Sequence, residues 1–145
     1  MLATRSQIEN FIPQRNPFIA IDEIQQATDE FAITQFKVLA ESIFVIDGVL
    51  GEPGLIENIA QTAAAQMGYV CKIKKLDVPI GYIASIKNLK IIELPSIGSV
   101  LTTSIQITNR VMNVIIVDGR IKTGDSIICE CEMRIFVEQN DAVRT

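Results

Sequence analysis

The chain contains no histidine and no tryptophan, and aromatic residues make up only 6% of it. Without histidine there is no imidazole for a Ser–His–Asp or Cys–His triad, for a mixed Cys/His zinc site, or for a general base titrating near neutrality. Cysteine is scarce too. Cys71, Cys129 and Cys131 form an odd set with no disulfide framework, as expected for a reducing compartment. Cys129 and Cys131 stand two apart on an expected strand, share a face, and read as small buried hydrophobes. A C-x-C metal pair is the weaker reading, because no histidine exists to complete it. An excess of positive charge is also missing. With 13 Lys+Arg against 17 Asp+Glu the net charge is −4, the wrong sign for binding nucleic acid by phosphate neutralisation. No apolar run approaches the ~18 residues of a membrane span. The opening MLATRSQIENF lacks the apolar core of a signal peptide, so a cytoplasmic protein is expected.

What is present is ample apolar material: 48% of 145 residues, with 21% charged, enough for a single domain over 1–145 with its own core. A short helix is expected over 4–11, with Thr4 or Ser6 as cap. IPQRNPF (12–18) reads as extended and turn-rich. Strands are expected over 18–26 and 31–39, then a loop over 42–51 punctuated by Asp47-Gly48. Pro53 and Glu52 suit the start of a helix running to about Lys72. Leu55, Ile59, Ala63 and Met67 share one face, and Ile56, Ala60 and Ala64 fill the flank. A helix this apolar all round is expected to be buried. Lys72, Lys74 and Lys75 suit its negative end.

Strand-like runs follow at 80–92, 99–108, 113–123 and 127–138. The last alternates most cleanly: Ile127, Cys129, Cys131, Met133, Ile135 and Val137 against Glu130, Glu132, Arg134 and Glu138, with Ile128 and Phe136 breaking the pattern. Asp118-Gly119 resembles a hairpin turn but would leave too short a strand before Gly124-Asp125. The turn is therefore placed at 124–125 and Gly119 read as a bulge. The resulting fold class is α+β: a curved antiparallel sheet of about six strands around one long helix.

Four segments, in order and at matching spacing, resemble the β-hydroxyacyl-ACP dehydratases of type II fatty-acid synthesis. IPQRNPF resembles their LPHRYPF-like opening, IENIAQ (56–61) their LEAMAQ helix motif, CECEMRIFV (129–137) their closing AEAEM strand, and IASIKNLK (83–90) with the Gly98-Ser99 turn falls where theirs does. GVLGEPGLIENIAQTAAA (48–65) is most similar to the branch linked to aryl-polyene-type pigment pathways. The resemblance implies a hot-dog fold and a dimer formed through an edge strand, here 80–92. It also implies acyl tunnels at that interface, each joining a helix carboxylate of one subunit to a histidine of the other.

Carried over residue by residue, the carboxylate is Glu57 and the glutamine that follows it is Gln61. Asp47, Gly54, Leu55 and Ala60 are the expected substrate-binding neighbours, with backbone N–H groups near Gly54 and Leu55 available to a thioester oxygen. The family's histidine does not carry over: its spacing falls near Ile43, and the histidine of the opening motif is Gln14 here. The implied ligand is an acyl chain on phosphopantetheine, carried by ACP or CoA, with no metal or dissociable redox cofactor. Three readings follow: a dehydratase-like enzyme on acyl-ACP, a half-site partner of a histidine-bearing hot-dog paralogue, or a hot-dog thioesterase using Glu57. Lys72, Lys74 and Lys75 read either as a solvated helix end or as a contact for an acidic carrier protein.

Overall fold

The computed structural model describes residues 1–138. The chain opens with a 3-10 helix, Arg5–Asn10, capped by Thr4, whose N–H donates to Gln7 Oε1 (3.0 Å). Strands β1 (Glu23–Ala27) and β2 (Phe31–Lys37) follow, then a small ribbon of β3 (Val45–Ile46) and β4 (Val49–Leu50). Helix α1 (Glu52–Ile73) leads into β5 (Ile80–Ile91), β6 (Val100–Val111), β7 (Val114–Thr123) and β8 (Ser126–Glu138). Six strands form one antiparallel sheet in the order β1-β2-β6-β7-β8-β5. Helix α1 packs against β1, β2, β5, β6 and β7, which include both sheet edges and its middle, so the sheet curves around the helix. The class is α+β, with the hot-dog arrangement the motifs implied. No helix among the described residues is long and apolar enough to cross a membrane.

Helix α1 starts at Gly51 as N-cap with Pro53 in its first turn, where a missing N–H costs nothing, and with Glu52 at the positive end. Two different surfaces cover it. Leu55, Ile59 and Ala63 pack into the sheet against Ala32, Phe36, Leu101, Ile105, Val117, Ile121 and Met133. Ala65, with Ala64 at its flank, meets Ile8, Ile12, Ile21 and Ile24 of the N-terminal segment. Fully buried Leu55 and Ile59 each contribute about 1.5–3 kcal/mol by leaving water.

Four expectations need correction. Gly119 is not a bulge: it pairs in regular register with Ile105 and Cys131. It is glycine because a Cβ there would stand 2.5 Å from Ile59 Cγ2, at the closest approach of helix and sheet. The bulge is in β8, where Ile121 pairs with Cys129 and Lys122 with Ile127, leaving Ile128 as the extra residue. That insertion explains why Ile128 breaks the alternation yet is buried beside Cys129. Second, β6 continues past Thr108 to Val111, with a further register shift between Ile107 and Asn109. Third, the segment 42–51 is not all loop. Asp47 (φ 53°) and Gly48 (φ 81°) have the paired positive φ of a type I′ turn and join β3 to β4. Fourth, β1 begins only at Glu23, because residues 18–20 give their backbone groups to α1 instead of to the sheet.

The two sheet edges differ. β1 is covered in part by the N-terminus, where Ile24 N–H donates to the Ala3 carbonyl (3.0 Å) and Ala3 bridges Ile24. β5 is the other edge, and Ile80, Tyr82 and Ile83 on it are exposed. Its register with β8 shifts between Ile83 and Ser85 and again between Lys87 and Lys90, which confines its regular end to the first residues of the strand.

Candidate active site

The amides of α1 explain themselves once the segment before β1 is in place. Gln61, fully buried, accepts from Ala20 N–H through Oε1 (2.6 Å) and donates through Nε2 to the Phe18 carbonyl (2.9 Å). Asn58 Nδ2 donates to the Ala20 carbonyl (2.9 Å), and Thr103 Oγ1 of β6 donates to Asn58 Oδ1. Thr62 Oγ1 donates to the Asn58 carbonyl (2.8 Å) and lies 2.7 Å from Thr34 Oγ1 of β2. Gln66 Nε2 donates to the Thr28 carbonyl (2.8 Å). A backbone stretch without sheet partners is thus satisfied by helix side chains, as buried polar groups require.

Glu57 sits one turn before Gln61 on this clamped face. Gln61 Nε2 donates to Glu57 Oε2 at 3.0 Å, an i,i+4 contact. Glu57 Oε1 accepts no hydrogen bond among the described residues, and the carboxylate is half-buried. It faces a cleft of about 320 Å³. One wall is α1, through Ala60, Ala63, Ala64 and Met67; the opposite wall is the start of β5, through Gly81, Tyr82 and Ile83, with Val78 and Pro79 before it. Pro13 and Gln14 close a third side. The walls are largely apolar and the one ionisable carboxylate among them is Glu57, an arrangement suited to an apolar ligand with a reacting centre beside a proton donor or acceptor.

Of the site residues expected from the sequence, the structure brings Glu57, Ala60 and Gln61 together. Glu57 and Ala60 line the cleft, while Gln61 lies behind the carboxylate as its clamp. Asp47, Gly54 and Leu55 are elsewhere. Asp47 is exposed in the β3–β4 turn, its Asp-Gly pair serving the turn geometry. Gly54 is buried against Leu50 and Phe44, and Leu55 is a core residue. Their N–H groups, expected to face a thioester, both donate to the Gly51 carbonyl (3.0 and 3.3 Å). Sequence reasoning missed Asn58 as an anchor, and it missed Val78, Tyr82 and Gln14 as cleft residues; only Gln14, between two prolines in a distinctive motif, carried a signal. Lys74 pairs with Asp29 at 3.0 Å in an exposed contact at the helix end.

Comparison with known proteins agrees with this fold. A family model described as ApeP dehydratase, of ApeP-like proteins, matches residues 6–144. The 3-hydroxyacyl-[acyl-carrier-protein] dehydratase FabZ of Wolinella succinogenes is 25% identical over 155 residues, covering 97% of this chain and 99% of the relative. Among solved structures, the dehydratase heterocomplex ApeI:P of Xenorhabdus doucetiae superposes with a TM-score of 0.86 at 17% identity, covering 94% of each chain. A hypothetical thioesterase with coenzyme A from Streptococcus pneumoniae gives 0.66 at 15% identity, over 81% of this chain and 86% of that one. Both structural matches show the same fold. With the match running through nearly the whole chain, the protein belongs to the ApeP-like dehydratase family, in the aryl-polyene-type branch of the hot-dog dehydratases.

Proposed function

We propose that this protein binds a 3-hydroxyacyl thioester of phosphopantetheine, on ACP or CoA, and supplies the carboxylate half of a dehydratase site whose histidine comes from a hot-dog paralogue. The observation that carries this reading is the position of the Glu57 cleft. It is walled by β5, a sheet edge with exposed Ile80, Tyr82 and Ile83, so a protomer docking on that edge would roof the cleft into a tunnel. No imidazole exists in this chain to complete an acid–base pair, and a neighbour of the same fold comes from a dehydratase heterocomplex. Cytoplasmic location fits a reaction on carrier-bound acyl chains.

Dehydration moves two protons. A base takes the proton from C2, the C2–C3 double bond forms, the C3–O bond breaks, and the hydroxyl leaves as water with a proton from an acid. In this reading the partner's imidazole takes the C2 proton and Glu57 delivers the other. Gln61 can only donate to Oε2, so the transferable proton belongs on Oε1, the oxygen left free beside the cleft.

The test is mass spectrometry of 3-hydroxyacyl-ACP incubated with this protein alone, with a histidine-bearing hot-dog dehydratase, and with that pair carrying Glu57→Gln. Loss of water is expected from the pair only. Turnover by this chain alone contradicts the half-site reading, and loss of the acyl group marks a thioesterase instead.

A further inference from the structure

The Glu57 cleft holds a second polar group that its walls leave unused. Among the described residues Gln14 Oε1 is buried with no hydrogen-bond partner, and Gln14 lines the same cleft as Glu57. Among the described residues only one other buried side-chain nitrogen or oxygen shares that state, Arg134 Nε, and it stands 3.7 Å from Glu132 Oε2. Gln14 has no such compensation. The segment on either side of it is well held: Arg15 Nη1 donates to the Ile12 carbonyl (2.7 Å) and to the Gln14 carbonyl (2.8 Å), and Arg15 Nε pairs with Glu9 (2.9 Å). The backbone is therefore fixed while the side-chain amide is left without a donor. A buried acceptor with nothing to accept destabilises a fold, and no hydrogen bond among the described residues offsets this.

We propose that Gln14 is a specificity residue: its Oε1 accepts the hydrogen of the ligand's C3 hydroxyl, orienting the oxygen lone pairs toward Glu57. This deepens the function proposed above and rests on it. The chemistry fits an acceptor that the fold leaves unpaired, on a residue lining the same apolar cleft as Glu57. A hydroxyl has a single hydrogen to donate. Given to Gln14, it leaves the oxygen's lone pairs open to the proton on Glu57, which is what departure as water requires. A saturated acyl chain offers Gln14 nothing, so the cleft discriminates by leaving a buried acceptor unpaired with the wrong ligand.

The experiment measures binding of 3-hydroxyoctanoyl-pantetheine and of octanoyl-pantetheine to the full chain and to Gln14→Met, which keeps length and removes the amide. Wild type is expected to prefer the hydroxylated ligand by about 3- to 10-fold, the range of one neutral hydrogen bond. Gln14→Met is expected to erase that preference while retaining the octanoyl affinity. Its Tm is expected to rise in the free protein, because an orphaned acceptor has gone; a purely structural Gln14 would instead lower Tm on replacement. A preference unchanged in Gln14→Met, or equal loss of both ligands, overturns the role of Gln14 and leaves the proposed function standing. Failure of wild type to bind either ligand, both alone and assembled with a histidine-bearing hot-dog partner, overturns the proposed function and this inference with it.

Discussion

At the scale of single residues, Gln61 does more than hold Glu57. Its three hydrogen bonds tie the carboxylate to a backbone segment 41 and 43 residues away in sequence. Replacing it by leucine leaves the buried Ala20 N–H and the part-buried Phe18 carbonyl without their partners. Gln61→Leu is therefore expected to lower stability by about 2–4 kcal/mol in urea unfolding, far more than a surface change. The thiols make a separate prediction. Burial pushes Cys129 up to about 12, with the neighbouring Cys131 adding to it, and burial with Asp118 nearby pushes Cys131 up to about 11. Unfolded, each loses its proton near the ordinary value of 9.0. Between that value and 11–12 the unfolded state holds fewer protons, so stability falls as pH rises through the window. The stability advantage of wild type over a Cys129→Ala/Cys131→Ala variant should shrink above about pH 9. The Glu57–Gln61 contact was legible in the sequence because i,i+4 spacing fixes it. The other ends of Gln61 were not, since nothing local reveals which distant carbonyl a buried amide will meet. Asp47 misled for the opposite reason: an acid beside glycine is a turn signal before it is a chemical one.

Elements follow from pattern where one face is buried and depart from it where tertiary contacts take over. The alternation of β8 and the apolar girth of α1 predicted both correctly. Strand β1 started late because helix amides claimed residues 18–20, a competition that β propensity cannot register. Close contact between elements likewise leaves its mark as glycine. At Gly68 a Cβ would stand 1.8 Å from the Phe11 carbonyl oxygen, so the N-terminal segment lies directly on the helix backbone there. Gly68→Ala is expected to cost about 3 kcal/mol, because backbone and not a flexible side chain must move. Limited proteolysis should then cut first within the displaced segment before β1, and an unchanged cleavage pattern would count against this packing.

On the scale of the molecule, the sheet order and the open β5 edge could not be read from periodicity, since strand pairing is a long-range property; the motif resemblance supplied the edge strand, and the order comes from the coordinates alone. What the coordinates add is the relation between that edge and the chemistry. The cleft with Glu57 is walled by β5, whose outer edge has no strand partner among the described residues, so assembly and active-site completion are one event in this account. Its central claim is that Glu57 is the carboxylate of a site shared with a histidine-bearing partner. The most direct measurement is the rate of water loss from 3-hydroxyacyl-ACP by the reconstituted pair, comparing wild type with Glu57→Gln. The account predicts a fall on the order of 10²–10⁴ with the pair still assembled, as for loss of one positioned acid–base group. A Glu57→Gln pair that dehydrates at the wild-type rate would contradict it.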